Sequence, residues 1–293
     1  MHERRASTLI ELLVTIALVA VLAGLLLSAV QKVRAAASRL SCQNRMRQIG
    51  LGAIQHHDAA GGLPGVNSFF PPVDFALLGW LPRLLPYVEQ GNAWAEAQED
   101  YRRHPFPFGK THRNINRVIP IYTCPADDRA ATAWIIPGTD WPTAFSSYLA
   151  NAGTAGRNRD GVVYPRSKTQ LLHISDGTSN TVLFGERPPS PDFRFGWWYS
   201  GHGAIDVGLL DFTMTARETG RPVYPAYRDC PKPAHFQPSN PSDACGALHY
   251  WSLHDGGANF AFCDGSVRFL RYEADAILPA LMTRAGGEVI PGE

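Results

Sequence analysis

Side chains that can perform acid–base chemistry are concentrated near the C-terminal end of the chain. His249, His254, Asp255 and Asp264 are close in sequence, and a His–Asp pair can act as a general base with its orienting partner. The alternative is structural: Asp264 precedes Gly265 in a turn, and His254 hydrogen-bonds the loop before it. The sequence has no Gly-x-Ser-x-Gly nucleophile elbow and no His-Glu-x-x-His zinc helix. We therefore favour the structural interpretation and expect no enzymatic activity.

A second polar cluster, at 176–181, has the oxygen-rich composition of a calcium-binding loop. Calcium would be bound through Asp176, Thr178 and Asn180. Such runs are more often self-hydrogen-bonded turns that lead into a strand, here Val182–Glu186. The sequence therefore predicts no metal and no cofactor, with calcium as a weak alternative.

The five cysteines follow no metal-binding spacing. No two of them form a C-x-x-C pair, which argues against a zinc knuckle or a thioredoxin-type motif. In an exported chain, five cysteines favour two disulfides and one free thiol; the alternative is five unpaired small apolar residues. A Pro-rich, polar segment at 215–247 lacks periodicity and reads as a long loop that a disulfide can pin. The cysteines are Cys42, Cys124, Cys230, Cys245 and Cys263; Cys230 and Cys245 lie inside that loop and are the pair that can pin it.

The chemistry at the other end of the chain depends on one acid, Glu11, at the edge of an apolar run. From Leu12 to Val30 there is no charged residue, and a helix of that length covers roughly 28 Å, about the thickness of a bilayer's hydrocarbon core. A secretory signal and an ordinary signal anchor are the alternatives. Glu11 argues against both, because an acid inside a membrane needs a partner.

The apolar run continues into an amphipathic helix that positions the rest of the chain. No helix breaker follows Val30 before Gly50, and apolar residues recur at helical spacing. The glycines at 61–65 end the pattern, so we predict one helix from Ser7 to His57, roughly 75 Å long. The apolar stripe consists of Cys42, Met46, Ile49 and Ala53.

Beyond the helix, the clearest local signal is a β-hairpin at 257–271. Two alternating segments flank Asp264-Gly265, the preferred dipeptide of a two-residue type I′ turn. We expect Phe260 and Phe262 to share one face with Val267 and Phe269 across the ladder. Short helices interrupted by prolines are predicted within 79–98, and further strands at 117–123, 161–164, 182–186 and 195–199.

The N-terminus resembles the type IV prepilin family. The resemblance rests on Arg4, Arg5 and the segment Thr8–Leu13, TLIELL. It implies a leader at 1–6, cleavage between Ala6 and Ser7 by prepilin peptidase, and Glu11 as the fifth mature residue. The freed amine of Ser7 would pair with Glu11 of a neighbouring subunit. Ala6 and Ser7 depart from the family, which normally has Gly before the cut and Phe or Met after it.

The whole chain resembles the prepilin-type H-X9-DG family, a group of uncharacterised bacterial proteins that is also catalogued under a solute-binding label. His254 and Asp264-Gly265 form the H-x9-D-G motif, and Asp176, Gly177 and Asn180 belong to a second family landmark. The resemblance implies a disulfide between Cys42 and Cys124 that ties the helix to the domain. Further landmarks are CQN at 42–44, LPYVEQ at 85–90, CPAD at 124–127, SY at 147–148 and GER at 185–187.

Together these features predict an α+β, pilin-like fold: a leader at 1–6, a helix at 7–58, and an extracytoplasmic, mainly antiparallel β-sheet domain with long loops at 59–293. The expected function is a pilin-like or pseudopilin-like subunit that assembles with similar subunits through its helix. A monomeric, membrane-anchored binding protein for a solute or polymer is the alternative, and an envelope hydrolase using His254 is the third. We expect a single-pass protein of the cytoplasmic membrane with its N-terminus in the cytoplasm, either staying there or entering a periplasmic or surface filament. The balance of 27 Lys+Arg against 26 Asp+Glu gives no case for nucleic acid.

Overall fold

The computed structural model describes residues 9–67, 75–155, 158–201, 211–219 and 224–288. The chain divides into two compact units, Met1–Leu40 and Ser41–Glu293. The described part of the first unit is a single helical segment, exposed at every position from 9 to 37. This segment contains a stretch long and apolar enough to cross a membrane by length and composition.

The long helix α1 begins at Leu9 and ends at Ala60. Its last turn is closed by Gly61, whose φ of +74° is left-handed, and by a hydrogen bond from Gly62 N to His57 O of 3.2 Å. This is a Schellman cap, so the glycines end the helix as predicted. Its last residue lies three positions beyond His57, because Gly61 is the first left-handed position. The predicted stripe is confirmed, since Cys42, Met46, Ile49 and Ala53 are fully buried.

The second unit is built on a five-stranded sheet. Its strands are β3 (Tyr148–Ala155), β4 (Val182–Glu186), β5 (Thr213–Arg217), β6 (Gly257–Phe262) and β7 (Val267–Arg271), and a separate pair is formed by β1 (Trp134–Ile135) and β2 (Pro142–Thr143).

The order of the strands in the five-stranded sheet is β5-β3-β4-β6-β7. β3 and β5 are parallel and the other three pairs are antiparallel. The part of α1 within this unit packs on one face of the sheet, which confirms the predicted α+β arrangement.

Both faces of the sheet are covered by buried apolar side chains. The core under α1 contains Met46, Trp80, Tyr148 and Phe184. The opposite core contains Phe260, Phe262 and residues of the short helix α3, Leu278–Met282. The segment that follows β5 completes this second cover and is closed by a disulfide between Cys230 and Cys245.

The C-terminal hairpin exists as predicted, but its turn and register differ from the prediction. Phe262 N donates to Ser266 O, and Gly265 N donates to Phe262 O; Ala261, not Phe262, faces Val267. This is a three-residue loop with Gly265 at φ +83°, the usual place for a left-handed glycine after a type I turn. The extra residue shifts the register by one position, so Val267 packs on the helix-side core while Phe260 and Phe262 face the other.

The other strand predictions have mixed outcomes. Val182–Glu186 is a strand with the predicted bounds, but 117–123 contains the 3₁₀ turn Pro120–Tyr122, because Pro120 has no N–H for a ladder. Segment 195–199 makes an isolated bridge between Trp197 and Phe145, and segment 161–164 forms no strand. The Pro-interrupted region forms a 3₁₀ helix, Leu81–Tyr87, and then α2, Gly91–Arg103.

Candidate functional site

The predicted processing site lies mostly outside the described residues. Ala6 and Ser7 are not described, whereas Glu11 lies in the first turn of α1 and is exposed. Its backbone carbonyl accepts a hydrogen bond from the Thr15 hydroxyl at 2.6 Å. A carboxylate in the first turn is favoured by the helix dipole. Glu11 is thus an exposed acid at the start of the described part of α1.

Four side chains from distant parts of the sequence meet beneath α1: Cys42, Cys124, Glu186 and His254. Their potential metal-binding atoms all lie within 4.8 Å of one another. His254 Nε2 is 3.3 Å from Glu186 Oε1 and 3.5 Å from Cys124 Sγ. Cys42 Sγ donates to Glu186 Oε1 at 2.6 Å. All four residues are buried, with exposed fractions between 0% and 8%; we call them the Cys–Glu–His cluster.

The four residues of the cluster lie on different secondary-structure elements and loops. Cys42 lies on the buried stripe of α1, and Glu186 is the last residue of β4. Cys124 follows the 3₁₀ turn Pro120–Tyr122, and its N–H donates to Ser147 Oγ at 2.8 Å. His254 precedes β6, in a loop where its N–H donates to the hydroxyl of Ser252 at 3.0 Å.

A second layer of hydrogen bonds holds the cluster in place. Asn259 N donates to the second carboxylate oxygen of Glu186 at 2.6 Å. The Tyr148 hydroxyl is 3.2 Å from Cys42 Sγ and donates to Thr123 O. These contacts fix the carboxylate and the first thiol from outside the cluster.

The electrostatics of the cluster follow from burial and mutual hydrogen bonding. Burial raises the pKa of Cys42 well above its usual value. The hydrogen bond from Cys42 lowers the pKa of Cys124. Burial acts to lower the pKa of His254, but its hydrogen bonds to Cys124 and Glu186 raise it to about 10. Burial and mutual hydrogen bonds therefore shift the pKa values of Cys42, Cys124 and His254.

The Asp264-Gly265 half of the H-x9-D-G motif contacts α1 about two turns beyond Cys42, near Gly50 and Ile54. A Cβ at Gly265 would lie 3.3 Å from Ile54 Cδ1, and a Cβ at Gly50 would lie 3.6 Å from Gly265 Cα. The hairpin turn therefore packs directly on the helix backbone. Asp264 Oδ1 accepts the N–H of Ser266 at 2.8 Å, which is the turn-forming role expected for an aspartate.

The 176–181 landmark supports the same turn. Asp264 N donates to Thr178 O at 3.1 Å. Asp176 accepts hydrogen bonds from Gly286 N and Gly287 N, and its backbone carbonyl accepts one from Asn180 at 3.2 Å. Although burial acts to raise the pKa of Asp176, these backbone donors lower it. Both carboxylate oxygens thus already have protein donors, which favours the turn interpretation of this loop over calcium.

The structure brings together residues for which the sequence predicts different roles, namely those of the Cys–Glu–His cluster. Cys230 and Cys245 form the predicted disulfide. Cys42 and Cys124, for which the resemblance implies a disulfide, are free thiols here, and they contact Glu186 and His254 respectively. His254 faces Glu186 rather than Asp255, which is exposed. The sequence marks Glu186 as part of a family landmark but not as a site residue. All four cluster residues belong to such landmarks, and this is the sequence signal that could have indicated a shared site.

A separate cleft of about 510 Å³ lies between the β1–β2 pair and the aromatic segment near 195. The Nε1 of Trp141 is buried and has no hydrogen-bond partner among the described residues. Arg194 stacks over the Tyr224 ring at 4.4 Å. Other lining residues include Phe108, Ile136 and Trp197. The cleft combines an apolar, aromatic wall with the guanidinium of Arg194, and small-molecule sites are commonly apolar with a few polar groups.

A long apolar N-terminal helix that continues onto a mainly antiparallel sheet defines the pilin-like class of membrane-anchored proteins. Residues 1–27 match the prokaryotic N-terminal methylation motif, which implies prepilin-like processing by prepilin peptidase. Together with the apolar helix, the motif indicates a membrane-anchored, extracytoplasmic protein. Residues 31–276 match a protein family of unknown function, DUF1559, and the chain belongs to that family. No curated protein and no solved structure matches the chain.

Proposed function

We propose that this chain is a type IV pilin-like or pseudopilin-like subunit that assembles through its N-terminal helix. After cleavage before Ser7, the freed amine stays cationic even when methylated. It would pair with Glu11 of a neighbouring subunit as the helices stack. The observation that carries this proposal is Glu11, an acid in the first turn of an exposed apolar helix that matches the methylation motif.

The apolar surface of the helix supports the same role. Every described residue from 9 to 37 is exposed, and this stretch includes large apolar side chains such as Leu12, Ile16 and Leu22 at about 60% exposure. Helices with apolar residues on all sides are buried in lipid or against other helices. Lateral packing between copies, or with similar subunits, would cover this surface.

The first test is N-terminal mass spectrometry of protein extracted from membranes. The proposal expects a mature chain that starts at N-methylated Ser7. An intact Met1, or an N-terminus beyond Ser28, would falsify it.

The second test is co-capture of two differently tagged copies from membranes in mild detergent. We expect the wild-type copies to be captured together and Glu11→Gln to reduce capture several-fold, because an unpaired amine in an apolar environment is costly. Thr15→Val, one turn away, is the matched control and should leave capture unchanged. Mass spectrometry of each variant separates a loss of cleavage from a loss of assembly. Monomeric wild-type protein would favour the binding-protein alternative.

The aromatic cleft is the specific observation that favours that alternative. A planar ligand with a carboxylate would bury its ring against Trp197 and place its charge beside Arg194, which also lines the cleft. Calorimetry with benzoate on the detergent-solubilised chain tests this binding. Arg194→Leu removes the cation, so binding should weaken about tenfold. Absence of saturable binding would count against this function.

The proposal assigns no catalytic role to His254. Its ring lies in a buried cluster with an exposed fraction of 8% for the residue, and its Nε2 faces Cys124 and Glu186. A general base must reach a substrate proton within hydrogen-bond distance. The contacts of His254 support a role in holding the domain together.

A further inference from the structure

The Cys–Glu–His cluster has the composition of a metal centre, although the sequence predicted none. Two thiols, one imidazole and one carboxylate are the donors that Zn²⁺ binds in proteins, and thiolates disfavour magnesium and calcium. We propose that Cys42, Cys124, Glu186 and His254 bind one zinc-type divalent ion and that this ion fastens α1 to the sheet.

The two distances that His254 Nε2 makes within the cluster agree with a tetrahedral site. Bonds of about 2.3 Å to sulfur and about 2.0–2.1 Å to nitrogen or oxygen separate tetrahedral N and S ligands by about 3.5 Å, and N and O ligands by about 3.3 Å. His254 Nε2 is 3.5 Å from Cys124 Sγ and 3.3 Å from Glu186 Oε1. The 2.6 Å between Cys42 Sγ and Glu186 Oε1 must lengthen by about 0.9 Å when an ion enters.

Burial gives the second argument. Glu186 is 1% exposed and Cys42 is fully buried, and carboxylates buried this deeply are normally paired or bound to a metal. With both thiols deprotonated, a divalent ion reduces the formal charge of the ligands from −3 to −1, with His254 neutral. The two thiol protons and the imidazolium proton of His254 are released as the ion binds.

The surroundings provide the outer contacts that a metal site needs. Asn259 N binds the second oxygen of Glu186, and the Tyr148 hydroxyl lies beside Cys42 Sγ. Such contacts orient metal ligands. Four protein donors leave no open position for substrate, which is typical of structural rather than catalytic zinc.

A disulfide between Cys42 and Cys124 is the competing state, and an oxidising compartment favours it. The two states exclude each other because they use the same sulfurs. A disulfide would require neither Glu186 nor His254, and it would leave both buried beside an uncharged bond. The presence of an acid and an imidazole against the two sulfurs therefore favours the ion.

The test uses the full chain extracted from membranes in detergent without chelators. Elemental analysis should give one zinc per chain. After exchange into cobalt under anaerobic conditions, we expect tetrahedral visible bands and sulfur-to-cobalt charge transfer. Cys124→Ala should reduce the charge-transfer intensity by at least about half, because only the Cys42 thiolate remains, whereas Cys263→Ala, which removes a buried thiol outside the cluster, should leave it unchanged.

Two measurements on the wild-type protein keep the proposal testable if Cys124→Ala does not fold. X-ray absorption should show two sulfur ligands at about 2.3 Å and two lighter ligands at about 2.0–2.2 Å. Peptide mapping should show Cys42 and Cys124 as thiols. A Cys42–Cys124 disulfide without bound metal overturns the proposal. So does a metal that lacks sulfur ligands, or a charge-transfer band of undiminished intensity in Cys124→Ala.

Discussion

Removing the imidazole of His254 provides the sharpest test of the cluster's contribution to folding. In metal-free protein, His254 and Glu186 form an ion pair at 3.3 Å whose side chains are 5% and 1% exposed. His254→Ala leaves the carboxylate buried without its cationic partner. Breaking a buried pair in this way costs about 3–5 kcal/mol. Because Asn259 N and Cys42 Sγ still donate to the carboxylate, we expect a loss of about 3 kcal/mol, at the lower end of that range.

A double-mutant cycle separates this effect from lost packing. Glu186→Gln alone removes the charge, so adding His254→Ala to it no longer leaves a buried carboxylate without a cation. The two changes together should therefore cost about 2 kcal/mol less than the sum of the single changes.

The assay is urea unfolding of the detergent-solubilised full chain in the presence of a chelator. The fluorescence of the buried Trp80 and Trp198 reports on the second unit. Asp255→Ala is the matched control: it changes the exposed neighbour of His254 and should shift the unfolding free energy by no more than about 0.5 kcal/mol. A coupling energy below about 0.5 kcal/mol would show that His254 and Glu186 act independently, and it would refute the reasoning.

Three further predictions concern the leader, the hairpin and the C-terminal segment. Ala6→Gly restores the residue that prepilins normally carry before the cut, so it should raise the cleaved fraction, measured by mass spectrometry of membrane extracts. Gly257→Ala would place a Cβ 2.0 Å from Leu270 O, and because a backbone atom cannot yield, it should cost about 3 kcal/mol in urea unfolding. Asp176→Asn removes a charged acceptor from the N–H of Gly286, so that amide should exchange faster with solvent, with unchanged rates in β6 as the internal control.

Sequence reasoning succeeded for the long helix because its signals are local. An uncharged run, an apolar stripe and a glycine pair are each visible within one or two turns. The strand β3 escaped prediction for a physical reason: its first four residues are all buried, so a strand covered on both faces shows no alternation. The hairpin was found but its register was not, since the same Asp-Gly dipeptide serves two-residue and three-residue loops.

The candidate site could be predicted only in parts. Cys42 and Cys124 were expected to lie together, and His254 was singled out as a motif residue. Their meeting with Glu186 depends on how β4, α1 and the loop before β6 pack, which no local pattern encodes. Without Glu186 and His254, the sequence predicts a disulfide between Cys42 and Cys124. The family resemblance implies this pairing, and an oxidising compartment favours it.

The two ends of the H-x9-D-G motif both contact the helix, so the length of the motif sets the spacing between these two contacts. His254 belongs to the cluster that includes Cys42, and Gly265 packs at Gly50, so the two contacts are about 12 Å apart along the helix axis. The spacer runs through a loop, the strand β6 and the tight turn before it returns to the helix. The spacer therefore fixes the distance between the two contacts. With one residue inserted, His254 and Gly265 could not both keep their contacts with the helix. The count of nine thus sets the spacing of the two contacts between the loop–hairpin segment and residues 42–50 of the helix.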